Sequence, residues 1–139
     1  MFLPDVNLWL ALSFESHFHH AAAKTWFNGS SERCSFCRLT QQAFLRLSTN
    51  PKVLKEDTVS LKDAWRIYDA IMKDPRIAFA HEPKDVESRW RDYTQSRLFS
   101  TNVWSDAYLA AFAEAAGLEL VTFDTGFSNY TNARCIILS

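Results

Sequence analysis

Asp106 and Asp124 stand in one stretch, NVWSDAYLAAFAEAAGLELVTFDTGF over residues 102–127, whose pattern brings two carboxylates to a common end. Val103, Ala107, Ala110, Ala111 and Ala115 recur at helical spacing, Gly117 is placed to close that helix, and Leu118 to Phe123 reads as a short buried strand. Asp106 then falls in the first turn of the helix. Asp124 falls just past the carboxyl end of a strand that runs back antiparallel to it. Two carboxylates aimed at one place repel by about 1 kcal/mol at about 4 Å in water, and by about 4 kcal/mol at an effective dielectric of about 20. They need a cation or a shared proton, so the chemistry pointed to is metal binding or acid/base work.

A third carboxylate, Asp5, follows the short apolar strand Met1-Phe2-Leu3, which Pro4 ends. It has two readings. It can cap the helix that Val6, Leu8, Trp9 and Leu12 would form, or it can be a strand-terminal ligand at the sheet edge where α/β domains bind their substrates.

The elements that must position these acids can be read from the rest of the chain. A helix AAAKTWFNG ends at Asn28-Gly29, and a strand is predicted over Cys34 to Arg38. Thr40 reads as the N-cap of the helix QQAFLRLSTNP, with Phe44, Leu45 and Leu47 on its buried side and Pro51 beyond its end. Arg46 lies on that helix, as a surface ion-pair partner or as a group facing the sheet edge. Residues 52–59 read as a polar connector. A helix is predicted over Leu61 to Asp74, a strand over Ile77 to Ala80, a helix over Lys84 to Arg97 and a last strand over Cys135 to Leu138. Short strands alternating with helices, without repeats, predict an α/β sandwich with a mostly parallel central sheet of four to five short strands and helices on both faces. Asp5, Asp106 and Asp124 can all sit at the carboxyl edge of that sheet.

Composition narrows the classes. The 139 residues suit one domain, and 47% hydrophobic content excludes a disordered chain. A formal net charge of −1 gives no overall basic field, so any nucleic-acid site must be local. Arg89, Arg91 and Arg97 with Trp90 and Tyr93 offer one such strip, although the interleaved acids also fit a solvated face with its own ion pairs. Cys34 and Cys37 spell C-x-x-C, but no second ligand pair follows, and residues three apart on a strand point to opposite faces. They read as structural. His17, His19 and His20 raise the question of a metal, yet no carboxylate completes a set nearby, and helix-start packing is the simpler role. Three cysteines, no leader pattern and no membrane-spanning apolar run lead to the expectation of a reduced, cytoplasmic protein.

The segments F-L-P-D-V-N, T-Q-Q-A-F-L-R-L, W-S-D-A-Y-L-A-A-F-A and L-V-T-F-D-T-G-F together resemble the PIN domain, and in particular the VapC toxins of VapBC toxin–antitoxin pairs. The resemblance covers essentially the whole chain and implies a single PIN domain over residues 1–139. It further implies a Mg²⁺-dependent endoribonuclease, with Mn²⁺ as an alternative ion, that cuts structured cellular RNA. Homodimerisation and silencing by a cognate VapB-type antitoxin are also implied. PIN domains usually carry a fourth acid, a Glu, near the start of the helix after the second strand, and Ala43 stands at the matching position here. Three aspartates still suffice for one hydrated divalent ion, whereas a second would be held less well.

On this reading Asp5, Asp106 and Asp124 are both the metal ligands and the catalytic residues, and Asn7, Thr40, Arg46, Ser105 and Thr122 orient water or phosphate. Two rivals predict differently. A haloacid-dehalogenase-type phosphatase needs a second Asp two residues after the first, where this chain has Asn7. A catalytically silent PIN module that only binds protein or RNA would gain no stability from divalent ions.

Overall fold

The computed structural model describes residues 1–95 and 102–139. Five short strands, β1 (Phe2–Pro4), β2 (Cys34–Phe36), β3 (Ile77–Phe79), β4 (Glu119–Thr122) and β5 (Cys135–Ile137), form a sheet of order β3-β2-β1-β4-β5. Every pairing is parallel. The seven helices among the described residues are α1 (Val6–Ser13), α2 (His20–Asn28), α3 (Arg38–Ser48), α4 (Pro51–Leu54), α5 (Leu61–Met72), α6 (Val86–Tyr93) and α7 (Val103–Ala116).

Side-chain alternation along the strands divides the core in two. Phe2, Cys34, Phe36 and Val121 pack with Leu8, Trp9, Phe44 and Tyr68 on the face covered by α1, α2, α3 and α5. Leu3 and Leu120 point the other way, onto Val86 of α6 and Leu109 and Phe112 of α7. Helices therefore cover both faces, as a parallel sheet requires. Trp9 lies flat on Phe36, with ring centroids 3.9 Å apart, and its buried indole N–H has no partner among the described residues. Cys34 and Cys37 are buried in opposite halves of this core and unbonded, so the C-x-x-C pair is structural, as its spacing predicts.

The chain builds β1, β2 and β3 outward in one direction, then returns to add β4 and β5 on the other side of β1. Adjacent strands β1 and β4 thus continue into helices or turns on either side of a topological switch, where open α/β sheets place their ligands. Their register pairs Pro4 with Val121, which sets Asp5 beside Thr122. Gly117, at φ 68°, closes α7 in the left-handed conformation that glycine favours and sends the chain directly into β4.

Several boundaries differ from those read in the sequence. Residues 52–59 are not a connector. Asn50 accepts a hydrogen bond from the Lys52 amide, Pro51 occupies the first turn of α4, and a 3₁₀ turn over Lys55–Asp57 follows. Pro51 does lie beyond the end of α3, and there it starts the next helix, since its missing N–H costs nothing in a first turn. Strand β2 ends at Phe36, and Cys37 rather than Thr40 is the N-cap of α3. The helix predicted over Lys84 to Arg97 is formed over Val86–Tyr93, and Arg97 lies outside the described residues.

Candidate active site

A cavity of about 330 Å³ opens at the carboxyl end of β1 and β4, and the three aspartates line it together. Each comes from a different element. Asp5 follows β1 and caps α1, Asp106 stands in the first turn of α7, and Asp124 follows β4.

Asp5 is 5% exposed, and both of its oxygens are held. Oδ1 accepts from the Leu8 amide at 3.0 Å, and Oδ2 accepts from the Thr122 hydroxyl. The capping reading of Asp5 holds, and capping α1 fixes the carboxylate at the sheet edge, where the ligand reading would also need it. Thr122 Oγ1 also accepts from the Asp124 amide at 2.9 Å, so one buried hydroxyl ties the first acid to the backbone of the third. Asp124 Oδ1 accepts from the Gly126 amide at 2.8 Å, and a Cβ on Gly126 would come within 3.0 Å of that oxygen. A side chain at residue 126 would therefore press on this carboxylate and shift it by a few tenths of an ångström.

Electrostatics follow from this packing. Burial pushes the Asp5 carboxyl up to about 6, against the hydrogen bonds from Thr122 and Leu8, and the charge of Asp124 adds to the rise. Burial first, then the charges of Asp124 and Asp5, raises Asp106 to about 6 as well. No Lys, Arg or His lies within salt-bridge distance of these three acids among the described residues. A desolvated, mutually repelling set of hard oxygen donors fits a hard divalent cation. Among the described residues no three His, Cys, Asp or Glu side chains are grouped tightly enough to enclose an ion by themselves. An ion here would complete its shell with water and substrate oxygens, as magnesium commonly does.

The supporting residues divide. Asn7, Arg46 and Ser105 line the cavity, and Arg46 is the one cation among its described lining residues. Thr40 also lines it, but its hydroxyl is spent at the start of α3, accepting from the Cys37 amide at 3.0 Å and donating to the Cys37 carbonyl at 3.1 Å. Thr122 is fully buried and is not among the lining residues, and its hydroxyl is taken up by Asp5 and the Asp124 amide. Ala43 lines the same cavity, so the usual fourth acid is missing from within the site itself. Asn102 and Phe127 line it too, and Tyr130 is near enough for Asp106 and Asp124 to reinforce the rise that burial gives its hydroxyl. The sequence reading passed over these, and over Gly126, although Asp-x-Gly is a turn signature.

Two other clusters take structural roles. His19 stacks on Phe123 at 4.1 Å, His20 Nδ1 lies 2.7 Å from the Ala11 carbonyl, and His17 Nδ1 accepts from the His19 amide. On α6, Arg89 Nε lies 3.2 Å from Glu114 as an ion pair without a well-directed hydrogen bond, and Arg91 pairs with Glu87 at 3.0 Å. The Tyr93 hydroxyl donates to Glu114 at 2.7 Å, and the Trp90 indole donates to the Trp104 carbonyl at 2.9 Å. The described part of the proposed RNA strip is thus a self-paired face.

The model of the PIN domain family matches residues 2–133. Ribonuclease VapC41 of Mycobacterium tuberculosis is 43% identical over 145 aligned positions, covering 100% of this chain and 99% of that protein. Ribonuclease VapC38 of the same organism is 35% identical over 96% of this chain and 92% of its own length. Among solved structures, Mycobacterium tuberculosis VapC20, described as a sarcin-ricin loop cleaving toxin, superposes with a TM-score of 0.70 at 18% identity, covering 94% of this chain and 95% of that one. VapBC2 from Rickettsia felis, bound to a DNA fragment from its promoter, superposes with a TM-score of 0.74 at 11% identity, covering 99% and 98%.

Proposed function

The chain belongs to the PIN domain family, and from that premise we propose that it is an endoribonuclease of the VapC type, the toxin of a toxin–antitoxin pair. The observation that carries this reading is the meeting of Asp5, Asp106 and Asp124, from three separate elements, in one cavity at the β1/β4 switch, with none of them in a salt bridge among the described residues. Residues 1–139 act as one PIN domain.

PIN-domain ribonucleases generally depend on a divalent metal, and we assign Mg²⁺, with Mn²⁺ as a substitute, to Asp5, Asp106 and Asp124. An ion held by these three carboxylates would supply Lewis acidity toward the phosphodiester. The protein does the rest. Asp5 is held rigid by the Leu8 amide and Thr122, Asp124 by the Gly126 amide, so neither reorganises on binding. Asp106, without a side-chain hydrogen bond among the described residues, keeps its lone pairs free toward the cavity. Arg46, Asn7 and Ser105 line the cavity, and on this reading Arg46 binds a non-bridging phosphate oxygen while Asn7 and Ser105 give hydrogen bonds to water or phosphate. Ala43 leaves the α3 side of the cavity without a carboxylate, so one ion rather than two is the expected complement.

The partners follow the same reading: an RNA substrate, a cognate VapB-type antitoxin and a second copy of the chain. Leu61 at 75% exposure and Trp65 on α5 provide apolar surface for association. No helix among the described residues is long and apolar enough to cross a membrane, and the three cysteines are free, which supports a reduced, cytoplasmic setting.

The test is incubation of the purified chain with total cellular RNA in Mg²⁺, in Mn²⁺ and in EDTA, beside the Asp5→Ala protein. Metal-dependent cutting at discrete sites that Asp5→Ala abolishes is expected. A folded, antitoxin-free protein that cuts nothing in either metal would instead be a binding module, with Ala43→Glu the variant that tests for lost activity.

A further inference from the structure

Asn102, Ser105, Asp106 and Leu109 line the aspartate cavity together, and their spacing of i, i+3, i+4 and i+7 makes them one face at the start of α7. Asn102 is the one polar residue of that face to which the proposed function gives no part. Asparagine in the N-cap position ordinarily turns its side-chain oxygen back onto the first amides of its helix, as Asn50 does by accepting from the Lys52 amide at 3.0 Å. Asn102 does not. It stands at φ −101° and ψ 4°, outside the extended region from which a cap acts, and its side chain makes no capping hydrogen bond. Its backbone is nevertheless fixed, because its carbonyl accepts from the Asp106 amide at 2.9 Å and from the Ser105 hydroxyl at 3.2 Å. The wall of the cavity therefore holds an exposed carboxamide with no hydrogen-bond partner among the described residues.

The walls of the cavity differ in charge. The α3 wall carries Arg46, and on the ribonuclease reading Arg46 and the aspartate-held ion answer the charge of the phosphate. Beyond Asp106 the α7 wall is neutral, with the Asn102 carboxamide, the Ser105 hydroxyl, and Leu109 packed in one cluster with Phe127. A neutral wall suits the sugar joined to that phosphate. Ribose presents carbons to the apolar side chains and a 2′-hydroxyl that both donates and accepts, and a carboxamide carries both complements, an amino group and a carbonyl oxygen. Ser105 is a poorer match, because its hydroxyl hydrogen is committed to the Asn102 carbonyl and leaves it an acceptor alone.

We propose that the Asn102 carboxamide reads the 2′-hydroxyl of a ribose flanking the scissile phosphate, and so selects RNA over DNA within the aspartate cavity. The proposal rests on the ribonuclease reading and adds to it the residue that sets sugar specificity. Ribose differs from deoxyribose by that one hydroxyl, so a single neutral hydrogen bond sets the discrimination, about three- to tenfold.

The test is a cycle of cleavage rates in Mg²⁺. Parent, Asn102→Ala and Asn102→Ser proteins cut an oligoribonucleotide spanning a site mapped in the total-RNA digest, and the same strand carrying one 2′-deoxyribose on either side of the scissile phosphate. Serine keeps a capping residue at the start of α7 but is too short to replace the carboxamide. In the parent, one of the two deoxy substitutions is expected to slow kcat/KM by about three- to tenfold. In both variants the same substitution is expected to cost less than about twofold, whatever their rate on the all-ribose strand, because a weakened helix start slows both strands alike and cancels in the cycle. Equal penalties in parent and variants overturn the proposal, as does a variant whose loss follows the flanking base rather than the sugar. Failure of the ribonuclease reading shows separately, as a folded parent that cuts no RNA in either metal. The cycle is then read as affinity for a fluorescein-labelled, mixed-sequence oligonucleotide, and a preference for RNA over DNA that Asn102→Ala leaves unchanged overturns the proposal.

Discussion

The aspartate corner and the outer face of α6 both hold clusters of charge, and the protein treats them in opposite ways. On α6, Arg89 and Arg91 each meet an acid, and Glu114 takes the Tyr93 hydroxyl as well as Arg89. At the β1/β4 switch three carboxylates gather, two of them pushed up to about 6, and none is salt-bridged among the described residues, Arg46 lining the cavity without pairing to them. Paired charge on an exposed face is inexpensive solvation, worth little either way. Unpaired, partly buried charge of one sign lowers stability and persists only where a ligand or a reaction needs it. The corner is therefore the region to which the proposed function assigns the chemistry, although α6 offers the basic and aromatic strip in the sequence.

That contrast can be broken by mutation. Asp106→Asn should reduce RNA cleavage by at least about a hundredfold, measured as single-turnover rate in Mg²⁺, because a ligand is lost. The same change should raise the melting temperature of the metal-free protein by a few degrees at pH 8, since a repelling, half-buried charge is removed. A loss of both activity and stability would mean that Asp106 serves the fold. Gly126→Ala should cost about tenfold or more in rate with little change in melting, because the new Cβ presses on Asp124 Oδ1 and displaces that carboxylate. An unchanged rate would show that Asp124 tolerates a different position.

Acidity sharpens the comparison further. Asp5 and Asp106 bind protons more tightly folded than unfolded, so their contribution to stability is fully present below about pH 4 and is lost as pH rises through about 6. The melting-temperature gap between Asp106→Asn and the parent should therefore be near zero at pH 4 and largest at pH 8. A gap independent of pH would contradict the repulsion. Smallest of all, Arg91→Gln should change stability by no more than about 0.5 kcal/mol in urea unfolding and leave cleavage within twofold, because its partner Glu87 is equally exposed.

The corner was legible in the sequence because each acid sits at a punctuated position. Pro4 stops a strand before Asp5, Gly117 fixes the turn that returns α7 toward β4, and Asp124 ends a run of apolar residues. What joins the acids was not legible. The Thr122 hydroxyl reaches Asp5 only because β4 lies against β1, and the order of elements along the chain does not state which strands are neighbours. Thr40 misled for a local reason: a threonine three residues into a helix can close a capping box with a cysteine N-cap as readily as it can begin the helix. The polarity of residues 52–59 concealed a helical turn, since α4 has no buried residue to give it an apolar stripe. On α6 the residue types fitted two opposite roles, and only the distances to Glu87 and Glu114 decided between them.

The central claim is that this unbalanced carboxylate corner exists to hold a divalent cation. It is tested most directly by melting the parent and Asp106→Asn proteins at pH 8 in EDTA, in Mg²⁺ and in Mn²⁺. The account predicts that the ions raise the melting temperature of the parent by several degrees, as a ligand bound only to the folded state must, and leave Asp106→Asn nearly unmoved. Equal shifts in the two proteins, or no shift in the parent, would contradict it.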